Sequence, residues 1–199
     1  MLERWFWESG QKREAEMLGK MDRQVNKLTS LISDLLDVTK ISSGKLEFNE
    51  EVFDFNKLIE ETTEEISRIS SQHEIVLELS STCYINGDKE RIGQVITNLV
   101  NNAIKYSPNA DKIIISSKKE KGKICFNVKD FGIGVPADKL EKIFDQFYRI
   151  KNNNYHLSGL GLGLFISSEI ITRQGGCIWV EPNIKEPGST FYFSMPCNN

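Results

Sequence analysis

Apolar or small residues recur at alternating steps of three and four, through Leu18, Met21, Val25, Leu28, Ile32, Leu35 and Thr39. That spacing keeps one stripe along an α-helix. Leu31, Leu36 and Val38 widen the stripe beyond a two-stranded seam. The pattern predicts a single helix over residues 11–42, of the kind found in bundles, where other helices cover its apolar face. Ser42-Ser43-Gly44 supplies the stop. From Lys45 the period changes. Leu46-Glu47-Phe48 and Val52-Phe53 alternate as strands do. Asp54 or Asn56 caps a helix running to about Ser70, with Leu58, Ile59, Ile66 and Ile69 facing inward. Residues 75–79 and Tyr84-Ile85 read as strands. Asp88 caps a further helix over residues 89–106, and Pro108 helps to end it. Residues 112–118 and 123–130 predict a hairpin around Glu120-Lys121-Gly122. A helix over 162–174 and strands over 177–181 and 190–195 complete the pattern. The chain thus divides into an N-terminal helical segment, 1–44, and a domain over 45–199. The fold class is α+β, a mixed or antiparallel sheet with helices on one face.

Three short stretches carry chemistry. Asn98 and Asn102 lie four apart on a helix and share a face. Asn has modest propensity for helix interiors, so its recurrence at 98, 101 and 102 asks for a reason. An amide oxygen is a good hard ligand for Mg²⁺, which prefers oxygen and keeps waters and phosphate oxygens around it. Lys105 adds a charge for phosphate, and Tyr106 a flat face for a base. Asp130 ends a strand just before Gly132 and Gly134, where a carboxylate can accept a hydrogen bond from an adenine amino group. Gly159, Gly161 and Gly163 open the helix near Leu162, and a helix N-terminus offers free N–H groups to phosphate. The spacing is not that of a P-loop, and no strand feeds the loop as a dinucleotide-binding turn requires.

Composition narrows the alternatives. The chain has 199 residues and a formal net charge of −3, with no basic footprint for nucleic acid. No apolar run approaches the ~18 residues of a membrane span. The first eight residues, Met1-Leu2-Glu3-Arg4-Trp5-Phe6-Trp7-Glu8, place charges where a signal peptide needs an apolar block. A soluble, cytoplasmic segment without membrane contact of its own is expected, either by itself or as the cytoplasmic part of a membrane-anchored sensor. Cys83, Cys125, Cys177 and Cys197 show no metal-ligand spacing and read as reduced thiols.

Together these stretches resemble the sensor histidine kinases, within the superfamily of type II topoisomerases, Hsp90 chaperones and mismatch-repair ATPases. The resemblance covers about residues 17–196. Residues 98–106 are similar to the N box and 130–134 to the G1 box. Ile143-Phe144-Asp145-Gln146-Phe147-Tyr148-Arg149 is similar to the F box, and 159–163 to the G2 box. The resemblance implies a Bergerat-type α/β sandwich and Mg·ATP as the ligand. Asn102 would hold Mg²⁺, Asp130 would read adenine, and Lys105 and Tyr106 would contact the nucleotide. Gly132, Gly134, Gly159, Gly161 and Gly163 would shape the loops. Residues 149–158 would form an ATP lid, with Arg149, Lys151 and His156 near the phosphates. Asn98 stands where the superfamily's hydrolases carry a Glu that activates water, so transfer of the γ-phosphoryl group is implied rather than hydrolysis.

The catalytic set is then Asn98, Asn102 and Lys105, acting on a phosphoacceptor histidine domain supplied in trans, with a response regulator downstream. Neither of the two histidines has the setting of an acceptor: His73-Glu74 runs into a strand, and His156 falls in the lid. The N-terminal helix resembles the second helix of the family's dimerisation hairpin and implies a homodimer. Trp5-Phe6-Trp7 has no counterpart in the family pattern. Two other readings fit the nucleotide motifs: a non-catalytic, nucleotide-gated binding module, and a serine kinase of the anti-sigma-factor type. The latter has no need of the heptad helix.

Overall fold

The computed structural model describes Phe6 and residues 10–69, 73–150 and 159–197. The chain forms two compact units, one up to Lys45 and one from Leu46. The first is helix α1, Lys12–Ser42, which follows the heptad stripe. Its end is a turn in which Gly44 adopts φ +68° and the Lys45 N–H reaches back to the Lys40 carbonyl at 2.8 Å. Met21, Val25, Leu28, Ile32 and Leu35 are between 49% and 61% exposed. The apolar seam is therefore open.

The second unit begins with strand β1 (Glu51–Asp54), helix α2 (Phe55–Ile69), strand β2 (Glu74–Leu79), strand β3 (Tyr84–Gly87) and helix α3 (Lys89–Tyr106). A hairpin of β4 (Lys112–Glu120) and β5 (Lys123–Lys129) follows. Two 3-10 turns, Ala137–Lys139 and Lys142–Phe144, precede helix α4 (Gly163–Arg173), β6 (Cys177–Pro182) and β7 (Ser189–Pro196). The main sheet has the order β2-β4-β5-β7-β6, parallel between β2 and β4 and antiparallel elsewhere. β1 and β3 form a separate antiparallel pair.

Alternation fixes which face is dry. Ile113 and Ile115 of β4, Ile124, Phe126 and Val128 of β5, and Phe191, Phe193 and Met195 of β7 are all buried. A one-residue slip would turn each of these outward, so the register is strongly specified. The Phe126 and Phe193 rings stack at 4.8 Å, and Phe55, from the first turn of α2, meets them edge-on at 6.1 and 6.0 Å. Ile92, Val95, Ile96, Leu99, Val100 and Ala103 form the buried stripe of α3, and Ile166, Ile170 and Ile171 that of α4. The result is a two-layer α+β sandwich.

Asp54 caps α2, its Oδ1 accepting from the N–H groups of Asn56 and Lys57. The strand expected at Leu46-Glu47-Phe48 is absent. Leu46 is buried as an anchor, and the nearby Asn49 N–H donates to the Asp88 carboxylate at 2.9 Å instead of a neighbouring strand. Asp88 also accepts from the Arg91 N–H at 2.9 Å as the cap of α3. Its own N–H donates to Gln174 Oε1 at 2.7 Å, which ties the start of α3 to the end of α4. No helix among the described residues is long and apolar enough to cross a membrane.

Candidate functional site

The buried stripe of α3 leaves Asn98, Asn102, Lys105 and Tyr106 half-buried on another part of the helix, beside α4 and the glycine loops. Asn98 Nδ2 donates to Ser167 Oγ on α4 at 2.9 Å, and Asn102 Nδ2 donates to Asn98 Oδ1 at 3.4 Å. The second bond engages the amide nitrogen of Asn102, not its oxygen. Lys105 Nζ donates to the Tyr106 hydroxyl at 3.4 Å and lies 4.8 Å from that ring's centroid.

Asp130 follows β5 and is only 3% exposed. Its Oδ1 accepts from the Gly132 N–H at 2.9 Å. Its backbone is held on both sides: the N–H donates to the Ser189 carbonyl at 2.9 Å, and the carbonyl accepts from Asn183 Nδ2 at 2.8 Å. Burial raises the pKa of the carboxyl above its ordinary value, and the N–H groups of Gly132 and Ser189 act in the opposite direction.

The glycines are required by close backbone approach. A Cβ on Gly132 would stand 2.0 Å from the Tyr106 carbonyl oxygen, and the next N–H, of Ile133, donates to that oxygen at 3.2 Å. The Asp130 turn is thus fastened to the end of α3. Gly134 passes against Gly188 on the β6–β7 connection. Gly161, at φ +74°, lies under Tyr148 and Arg149, and its carbonyl accepts from the Phe147 N–H at 3.1 Å. Gly159 passes 3.5 Å from Lys105 Nζ, measured from the position of an added Cβ. A Cβ on Gly163, the first residue of α4, would lie 2.4 Å from Asn98 Oδ1.

Asn98, Asn102 and Gly163 fall in one set of contacts, and Lys105, Tyr106, Gly132 and Gly159 in a second, with α3 carrying both. Asp130 joins the second through Gly132, Gly134 packs on Gly188, and Gly161 packs on Phe147, Tyr148 and Arg149. Lys151 and His156 lie outside the described residues, as does most of the expected lid. Trp5 and Trp7 do so as well. His73 is 7% exposed, and its Nε2–H donates to the Ser107 carbonyl at 2.7 Å, just beyond α3. Among the described residues no group of three or more His, Cys, Asp or Glu side chains could hold a metal ion, and all four cysteines are unpaired.

Two residues that sequence reasoning missed are Ser167 and Asn183. Ser167 lies four positions after Gly163, on the same helical face, which is a legible signal. Asn183 sits on a connection between strands, and no pattern marks it.

Residues 87–199 match the model of the histidine kinase-, DNA gyrase B- and HSP90-like ATPases. The chain is 33% identical over 178 residues to the sensor histidine kinase WalK of Bacillus subtilis (strain 168), covering 87% of this chain and 29% of that kinase. Its structure is similar to the catalytic domain of histidine kinase ThkA at TM-score 0.62 and 35% identity, over 76% of this chain and 96% of that domain. It is also similar to the Acinetobacter baumannii histidine kinase AdeS at TM-score 0.72 and 28% identity, over 92% of this chain and 84% of that one. The chain spans about a third of the length of the curated relative just named.

Proposed function

The chain belongs to the histidine kinase-, DNA gyrase B- and HSP90-like ATPase family, and on that premise we propose that it binds Mg·ATP and transfers the γ-phosphoryl group to a histidine on another polypeptide. It would serve as the ATP-binding catalytic portion of a two-component sensor kinase. The observation that supports this reading is the convergence of the α3 amides, the Asp130 turn and the N-terminus of α4 on one place. Asn102 offers one neutral oxygen, and among the described residues no acidic cluster competes with it. That donor set suits Mg²⁺, which takes a single protein oxygen together with phosphate oxygens and waters. When bound, the cation supplies charge neutralisation at the phosphates.

The remaining work falls to the chain itself. Asp130 accepts from the adenine amino group, and Tyr106 lies against the nucleotide. Lys105 and the free N–H groups at the start of α4 hold phosphate oxygens, and Arg149 joins them from the loop before that helix. Asn98 has no basic lone pair near neutral pH, so water is not activated there and the phosphoryl group is conserved for the acceptor.

Self-phosphorylation is not expected. His73 is buried, with its Nε2–H committed to a backbone carbonyl. The acceptor domain comes in trans, a response regulator takes the phosphoryl group onward, and the open seam of α1 serves a homodimer. The setting is the cytoplasm. The test is transfer of label from γ-labelled ATP to a separately supplied phosphoacceptor hairpin, read as acid-labile phosphohistidine. Transfer that disappears with Asn102→Ala supports the reading. Intact Mg-dependent ATP binding without any transfer would replace it with a nucleotide-gated binding module.

A further inference from the structure

We infer that Ser167 is a positioning residue for the metal ligand: through Asn98 it holds the Asn102 side chain with its amide oxygen toward the cation. The inference rests on the nucleotide-site reading above and assigns a role to a residue that belongs to none of its motifs. Ser167 is 2% exposed, on the α4 face turned to α3. It accepts from Asn98 Nδ2 at 2.9 Å, and Asn98 Oδ1 accepts from Asn102 Nδ2 at 3.4 Å. Gly163, one turn earlier on α4, leaves the space that Asn98 fills.

The polarity of this chain matters because an amide has two unlike ends. With a cation at Asn102 Oδ1, the Asn102 NH2 must donate to Asn98 Oδ1. The Asn98 NH2 is then turned to Ser167, and only an acceptor there satisfies it. In the opposite polarity Asn102 would present two N–H donors to the cation, which is repulsive. With the cation bound, Asn102 pins Asn98 in one orientation, so loss of the Ser167 hydroxyl leaves the Asn98 N–H without a partner. Without metal nothing pins the pair, and half-buried Asn98 can turn its amide toward solvent when that hydroxyl is missing. Losing the hydroxyl therefore costs more in the metal-bound state than in the metal-free one.

The experiment is calorimetric titration with a non-hydrolysable ATP analogue, in MgCl2 and in EDTA, of the wild type, Ser167→Ala, Asn98→Ala and the double variant. The expected result is that Ser167→Ala loses about fivefold of the affinity gained on adding Mg²⁺, the equivalent of one net hydrogen bond. Affinity in EDTA stays unchanged, and the double variant loses no more than Asn98→Ala alone. A full Mg²⁺ gain in Ser167→Ala, an equal loss in EDTA, or additive losses in the double variant would each overturn the inference. Failure of the wild type to gain any affinity from Mg²⁺ would instead remove the site reading itself.

Discussion

Replacing Asp130 by Asn should move binding and stability in opposite directions. In the wild type, Oδ1 accepts the Gly132 N–H at 2.9 Å, and the carboxylate as a whole presents only acceptors. An amide at this position has a single oxygen. If that oxygen keeps the Gly132 bond, the NH2 faces the adenine amino group, donor against donor. If it turns over, the NH2 opposes the Gly132 N–H. Either way one hydrogen bond to a charged group is lost, worth roughly 1.5–3 kcal/mol, so ATP affinity should fall about 10- to 150-fold. Stability moves the other way. Asp130 is 3% exposed, and burial raises its pKa, so the folded protein holds this proton more tightly than the unfolded chain does. An ionised Asp130 therefore costs stability at neutral pH. That cost vanishes as the pH falls through the raised folded-state pKa toward the ordinary carboxylate range. The substituted amide is neutral throughout, and each ~1 kcal/mol recovered raises Tm by about 2–4 °C in a chain of this size. The Tm advantage of the variant should shrink on acidification, while wild-type ATP affinity weakens over the same interval as the acceptor is protonated. Titration with ATP and with inosine triphosphate, which lacks the amino group, isolates the base contact. The wild type should prefer ATP and Asp130→Asn should not. A variant that keeps the preference would refute the assignment of Asp130 to adenine, and a lower Tm at neutral pH would refute the account of its burial.

Gly163→Ala would put a methyl group 2.4 Å from Asn98 Oδ1, a side-chain atom that can swing away. Both amide bonds should break, with at least about a tenfold loss of Mg-dependent nucleotide affinity and little change in Tm, measured by fluorescent-nucleotide titration. Gly132→Ala meets the backbone carbonyl of Tyr106 at 2.0 Å, which cannot swing away. Its cost should reach about 3 kcal/mol, or roughly 6–12 °C of Tm by thermal melting. Burial and then a hydrogen bond to Cys197 push the Cys83 thiol up to about 11. Alkylation at mildly basic pH, followed by mass spectrometry, should modify exposed Cys177 first and Cys83 only after unfolding.

What the sequence made legible is local. Asp88 followed by the apolar spacing of Ile92, Val95, Ile96, Leu99 and Val100 defined α3 to its observed ends, Lys89–Tyr106, because cap and stripe lie within the helix itself. The alternation of Phe191, Phe193 and Met195 similarly marked β7. Partner choice was not legible. Periodicity does not say that β2 pairs with β4 in parallel, nor that Leu46-Glu47-Phe48 spends its alternation on a single buried anchor. The site divides in the same way. Its motif residues were read from spacing along one helix or one turn. The contacts that orient them span 69 residues from Asn98 to Ser167 and 53 from Asp130 to Asn183, and only tertiary packing creates them.

Position 98 joins these two levels. A carboxylate there would be a base one helical turn before Asn102, and it would accept from the Asn102 amide on one oxygen and from a Ser167 hydroxyl on the other. The amide that is present keeps the first of these bonds, 3.4 Å to Asn102. It reverses the second, so that Ser167 accepts at 2.9 Å. The geometry that aims the ligand oxygen is thereby retained while the basic lone pair is removed. On the proposed reading, one substitution thus separates two properties that hydrolases in this superfamily combine: orientation of the metal ligand stays, and activation of water goes. On the same reading, position 98 supplies no base to hand a bound phosphoryl group to solvent before a histidine arrives.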